Sequence, residues 1–163
     1  MILGHYKNKP VDMQAVRPGE IRKYLHTRVI EEKEISELES SVDIDLKNFC
    51  LDYKNLTYPI GASHDNTHIG DFIVAEKWEY PYWKKNGSVY VPSEDNPIGR
   101  YLVILAEGMN KISTSIHSWP LEPYGEKDFV QGDNSKGCIR LRREDMDEFF
   151  HSVDLGTRVR IKE

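Results

Sequence analysis

The segment Asn134-Ser135-Lys136-Gly137-Cys138-Ile139-Arg140-Leu141 is where residue types and spacing point most directly to chemistry. Gly137 permits a tight or left-handed backbone and can bring successive N–H groups close to a bound atom. Cys138 follows it directly, flanked by the cations Lys136 and Arg140. Nearby positive charge favours thiolate over thiol, and the thiolate is the nucleophile. A nucleophilic cysteine also needs a base within hydrogen-bond reach, most often histidine. His117, at the end of a short strand, is the nearest candidate upstream. By residue type alone, a free cysteine such as Cys138 is more often a small buried hydrophobe, and a lone histidine such as His117 a hydrogen-bonded core or surface residue. Both readings stand at this level.

The elements that must position these residues are mostly strands. Val42, Ile44 and Leu46 alternate with Asp43, Asp45 and Lys47, and Phe49, Leu51 and Tyr53 continue the alternation, which predicts half-buried strands. A turn at Lys54-Asn55 makes the first hairpin. Phe72 to Ala75 is a short apolar run and reads as a buried strand. The aromatic stretch Trp78 to Trp83, followed by Asn86-Gly87, predicts a structured loop or tight hairpin, either packed or serving as a lid. Tyr101 to Leu105 and Ser113 to Ile116 are further strands. Met146, Phe149, Phe150 and Val153 stand at i, i+3, i+4 and i+7, the one convincing helix, with Gly156 expected as its C-terminal cap. Thr157 to Ile161 alternates as a closing strand. Before Val42, Arg17-Pro18-Gly19 reads as a turn and Glu31 to Ser40 as an acidic solvated face or short helix.

Composition narrows the function classes. The chain has 163 residues, with 22 Lys plus Arg against 27 Asp plus Glu, a net charge of −5. That length suits one domain, and the negative balance argues against a general nucleic-acid binder. No apolar stretch reaches the roughly 18 residues of a membrane helix. Two cysteines, Cys50 and Cys138, are too few for a disulfide-built fold. Cys50 reads as an inert thiol on a strand face. The start of the chain lacks the apolar core of a secretory signal, so the sequence reads as cytoplasmic or as beginning after an export signal. His64 and His68 are four apart, but the intervening residues do not read as helix, and a surface loop is expected rather than a metal site.

Ser135-Lys136-Gly137-Cys138-Ile139-Arg140-Leu141 resembles the Ser-His-Gly-Cys-Ile-Arg-Leu signature of the L,D-transpeptidase catalytic domain (YkuD-type) family. That family also places its base histidine upstream, as His117 stands here. Thr67-His68-Ile69-Gly70 resembles its Thr-Pro-x-Gly, Asn96-Pro97-Ile98-Gly99-Arg100-Tyr101 its Asn-Pro-x-Gly-x-Tyr, and Gly156-Thr157-Arg158-Val159-Arg160-Ile161 its closing Gly-Thr-x-Val-x-Ile. The resemblance implies a mostly β, sandwich- or barrel-like domain with one late helix over residues 42–163, preceded by an extension of unclear role over 1–41. It also implies an enzyme that acylates Cys138 with a peptidoglycan tetrapeptide stem, releases D-Ala, and passes the acyl group to an amine that cross-links third residues. Water as the acceptor would make it a carboxypeptidase, and a silent thiol a peptidoglycan-binding module.

On the same resemblance, His117 is the base and the carbonyl of Ser118 orients it. The N–H groups of Gly137 and Cys138 face the oxyanion. Arg140, Lys136, Ser135 and Trp119 line the substrate site, with Trp119 at its mouth. No metal or organic cofactor is implied. The partners are stem peptides, with carbapenem-type β-lactams as inhibitors, and the location is periplasmic or otherwise extracytoplasmic in a bacterium. Two departures bear on the chemistry. Lys136 stands where the family has histidine, exchanging a titratable imidazole for a fixed charge, and His117-Ser118-Trp119 replaces His-Gly-Thr.

Overall fold

The computed structural model describes residues 2–6, 9–12, 41–85, 87–90, 96–107, 111–120 and 128–163. The expected turn at residues 17–19 and the acidic stretch 31–40 lie outside the described residues. In chain order the strands are β1 (Ile2–Tyr6), β2 (Lys9–Asp12), β3 (Val42–Asp45), β4 (Cys50–Tyr53), β5 (Leu56–Ala62), β6 (Gly70–Glu79), β7 (Tyr82–Lys85) and β8 (Ser88–Tyr90). They continue as β9 (Tyr101–Glu107), β10 (Lys111–Ser118), β11 (Gly132–Asp133) and β12 (Ile139–Leu141); helix α1 (Arg143–Ser152) and β13 (Arg158–Lys162) complete the chain.

The larger sheet runs β11-β5-β12-β10-β9-β6-β13-β3-β4, and β4 pairs back onto β5. That last pairing closes the sheet into a barrel, with β11 a short flank on β5. The pairing that closes the ring is itself a local hairpin. Lys54 and Asn55 both take left-handed φ, 46° and 63°, the geometry of a tight two-residue hairpin whose twist matches that of its strands, and Tyr53 then faces Leu56. A smaller sheet, β2-β1-β7-β8, joins the first strands of the chain to the hairpin around Gly87.

Alternation decides which residues fill the barrel. Val42 and Ile44 on β3, Leu51 and Tyr53 on β4, and Val159 and Ile161 on β13 are buried, while their neighbours along each strand are more exposed. Helix α1 closes one side of this core. Phe149 meets Tyr53 and Tyr58 edge-on, with centroids 5.8 and 6.2 Å apart, and Phe150 stacks on Tyr101 at 4.4 Å.

The helix ends without its expected glycine cap. Val153 is the cap residue and is extended, because the barrel wall supplies the donors that the last carbonyls need. Tyr53 Oη and Lys54 Nζ donate to the Ser152 carbonyl at 3.1 and 3.0 Å, and Lys77 Nζ donates to that of Val153 at 2.7 Å. Gly156 serves the following turn instead, with φ +84° and its N–H donating to Val74. Trp78 is buried within β6. The side chain of Trp83 lies outside the described residues.

Candidate active site

Parallel pairing of β10 with β12 is the arrangement that builds the site. Ile116 faces Ile139, His117 faces Arg140 and Ser118 faces Leu141; Trp119 N–H extends the pairing to the Leu141 carbonyl at 2.7 Å. Ile116 and Ile139 are fully buried, so the hydrophobic face of each strand fixes the polar face of the other. Cys138 enters β12 one residue before Ile139. This brings its sulfur against Ser115, whose Oγ donates to Sγ at 3.4 Å, and within hydrogen-bonding reach of His117.

His117 is buried, and its Nδ1 lies 2.8 Å from the Ser118 carbonyl oxygen. A carbonyl can only accept, so Nδ1 carries the proton and Nε2 presents a lone pair towards the thiol. The Asn96–Gly99 turn backs this arrangement. Asn96 accepts the Gly99 N–H on its carbonyl at 2.7 Å and the Ile98 N–H on its side chain at 2.9 Å, and its Nδ2 donates to the Pro81 carbonyl. Gly99 has φ +76°, and a Cβ there would stand 2.7 Å from that of Ser118. Only glycine lets the turn lie so close to the residue whose carbonyl accepts from the imidazole.

Burial pushes the Cys138 thiol upward, but the hydrogen bond and charge of His117, the Ser115 hydroxyl and the charge of Arg140 outweigh it. The balance brings the thiol down to about 7. Cys50 shows the opposite balance: burial and the carboxylates of Asp52 and Asp45 push that thiol up. The chain thus holds one thiol set for ionisation near neutrality and one held protonated.

The segment before Cys138 is tied down on every side. The Ala62 carbonyl accepts from both Asn134 N–H and Ser135 N–H, at 2.8 and 2.9 Å. Gly137 has φ +130°, and a Cβ there would lie 3.2 Å from the Asn66 carbonyl. The Gly137 N–H donates to Ser135 Oγ at 3.1 Å, and its carbonyl accepts from the hydroxyls of Thr67 and Thr114, at 3.1 and 3.0 Å. Arg140 donates to the Asn134 carbonyl at 2.9 Å and lies over the Trp119 ring, with Cζ 5.6 Å from the centroid. Trp119 is only 5% exposed and meets Phe129 edge-on, so its indole sits within the wall of the site. Lys136 is exposed.

The sequence-predicted Cys138, His117, Ser118, Ser135, Gly137, Arg140 and Trp119 therefore come together, with Lys136 at the solvent side. Three neighbours were not foreseen: Ser115, Thr67 and Thr114. Ser115 carried a signal, since two residues before His117 on a strand means the same face. His64 and His68 lie in the exposed loop between β5 and β6. Among the described residues no group of three His, Cys, Asp or Glu side chains gathers as a metal site, and no helix is long and apolar enough to cross a membrane.

The sequence pattern of YkuD, the L,D-transpeptidase catalytic domain, matches residues 41–161. A Bacillus subtilis (strain 168) protein named "Putative L,D-transpeptidase YqjB" is 35% identical over 102 residues, covering 62% of this chain and 54% of that protein. The chain thus spans about half the length of this curated relative. Among solved structures, an L,D-transpeptidase from Mycobacterium tuberculosis H37Rv matches with a TM-score of 0.57 at 17% identity, over 76% of this chain and 57% of that one. The catalytic domain of the E. faecium L,D-transpeptidase acylated by ertapenem matches at 0.54 and 24% identity, over 76% and 96%. The Ldtfm-avibactam carbamoyl enzyme matches at 0.56 and 17% identity, over 99% and 85%. These structures share the fold, and the family pattern spans most of the chain, including the cysteine segment: the protein belongs to the L,D-transpeptidase catalytic domain family.

Proposed function

We propose that this protein is a peptidoglycan L,D-transpeptidase with Cys138 as nucleophile, His117 as base and the Ser118 carbonyl as orienter. The observation that carries the reading is the relay from the Ser118 carbonyl to His117 Nδ1 at 2.8 Å, and from His117 to a thiol lowered to about 7. In the first step His117 Nε2 takes the thiol proton and the sulfur attacks the carbonyl of the stem's third residue. The tetrahedral oxyanion is met by the Cys138 N–H. The Gly137 N–H, which donates to the Ser135 hydroxyl at 3.1 Å, joins it by releasing that bond. The intermediate collapses, His117 protonates the departing D-Ala amine, and a thioester remains. An amine of a neighbouring stem then attacks that thioester and gives its proton to His117; the sulfur leaves as thiolate and the cross-link is made.

Lys136, exposed beside the nucleophile, is the cation free to reach a stem carboxylate, with Ser135 next to it. Arg140 is held by Asn134 and stacked on Trp119, which supports a role for both in shaping the wall. The reading needs neither metal nor organic cofactor. It takes residues 42–163 as the catalytic unit and 1–41 as an extension whose first strands brace the β7–β8 hairpin. Because the substrate lies outside the cytoplasmic membrane, the reading also implies an extracytoplasmic location. Ertapenem and avibactam adducts on proteins of this fold support Cys138 as the site of acylation by such inhibitors.

The test is mass spectrometry of a purified disaccharide-tetrapeptide incubated with the wild type and with Cys138→Ala. Cysteine-dependent dimers that have lost one D-Ala are expected. Loss of D-Ala without dimers would make water the acceptor and the enzyme a carboxypeptidase. An unchanged substrate together with a thiol inert to carbapenem would leave a binding module.

A further inference from the structure

Ser115 lies on β10 two residues before His117, on the same strand face, and is 6% exposed. The register that pairs Ile116 with Ile139 carries one step back to set Ser115 against Cys138. Its Oγ is 3.4 Å from Sγ, a hydrogen-bonding distance for sulfur. Once His117 holds the thiol proton, the sulfur has lone pairs only, so the hydroxyl must be the donor. We propose that Ser115 is a fourth functional residue of this site, its hydroxyl donating to the Cys138 sulfur and holding the nucleophile as thiolate.

The inference rests on Cys138 being the nucleophile. The charged groups facing the sulfur are His117 from β10 and Arg140 from β12, with Lys136 exposed in the preceding segment. His117 exchanges a proton with the sulfur, and Arg140 is tied to Asn134. Ser115 is therefore the neutral donor, worth more in this buried setting than in water because little solvent competes for the anion. Its influence falls on both halves of the reaction: it favours the attacking thiolate, and it steadies the same thiolate as it leaves the thioester.

The experiment follows iodoacetamide alkylation of Cys138 in the full chain between about pH 6 and pH 10, read on the Cys138 peptide so that Cys50 does not contribute. Ser115→Val and Ser115→Thr have nearly the same shape and differ in the hydroxyl. Loss of one hydrogen bond to an anion raises the apparent thiol pKa by about one unit. Thiolate nucleophilicity rises with its basicity, so alkylation of Ser115→Val should be about threefold slower below the transition and about threefold faster above it. A merely structural defect does not produce that crossing. Ser115→Thr should keep the wild-type profile, and Ser115→Ala supplies the comparison if valine disturbs packing. A wild-type profile in Ser115→Val or Ser115→Ala overturns the proposal while leaving Cys138 as nucleophile. A wild-type thiol that titrates at its ordinary value overturns both.

Discussion

The Thr67 hydroxyl donates to the Gly137 carbonyl at 3.1 Å, bridging two residues seventy positions apart in the chain. Thr114 donates to the same oxygen at 3.0 Å. A trans peptide points its N–H opposite to its C=O, so two hydroxyls that grip the Gly137 carbonyl also aim the Cys138 N–H. Removing one grip leaves that donor in place but less well held. Thr67→Val should slow acylation by ertapenem about tenfold, less than the ~10²–10³ lost when an oxyanion donor is deleted. The double variant Thr67→Val with Thr114→Val should be slower again. Mass-spectrometric adduct formation against time measures both, and a wild-type rate in the double variant would refute the orienting role.

The thiolate is the reactive form, and the Cys138 thiol sits at about 7. Acylation should therefore rise through about pH 7 and level off above it, falling about tenfold for each unit below. His117 supplies the leading downward contributions. In His117→Ala burial acts with less opposition, so the inflection should move upward while the rate falls. A pH–rate profile checks both. An inflection that stays near 7 without His117 would assign the lowered thiol to other groups.

Lys136 is exposed and stands where the family has histidine. An exposed charge acts weakly through solvent, so Lys136→His should change the acylation rate by less than about fivefold. Total loss of acylation, followed by the same adduct assay, would make Lys136 indispensable.

Gly99 combines a left-handed φ with a site where an added Cβ would stand 2.7 Å from that of Ser118. Gly99→Ala must both strain its backbone and displace the residue that orients His117. It should cost about 1–3 kcal/mol, a fall of several degrees in Tm for a chain of this size, and it should slow acylation as well. Calorimetry alongside the adduct assay separates the two effects; full activity in the variant would remove the turn from the orienting chain.

Much of the fold was legible because its signals are local. Alternation marked β3, β4 and β13, the tight pair Lys54-Asn55 marked the hairpin, and the 3–4 spacing of Met146, Phe149 and Phe150 marked α1. What alternation could not reach was pairing between distant segments. β12 has three residues and β11 two, too short for a period to register, and both are held by partners from remote parts of the chain. Gly156 was misassigned for the same reason, since its place as a helix cap is taken by Tyr53, Lys54 and Lys77 from the barrel wall. At the site, Cys138, Gly137 and His117 announced themselves by type and order. Hydroxyl residues such as Thr114 are common everywhere, and their place beside Gly137 and Cys138 is set by strand pairing rather than by residue type. Trp119, expected at the mouth, is buried beside Arg140, Phe129 and Gly61, where an indole packs well.

The parallel pairing of β10 and β12 has a consequence in time as well as space. Parallel neighbours need a crossover, so the chain must travel from Trp119 around to Cys138 before the two strands can meet. Until they do, the sulfur has neither His117 nor Ser115 beside it, and a thiol at its ordinary value of 9.0 is almost wholly protonated at neutral pH. The unpaired chain therefore presents this sulfur mainly as thiol. The environment that lowers the Cys138 thiol is thus assembled only when β10 and β12 pair.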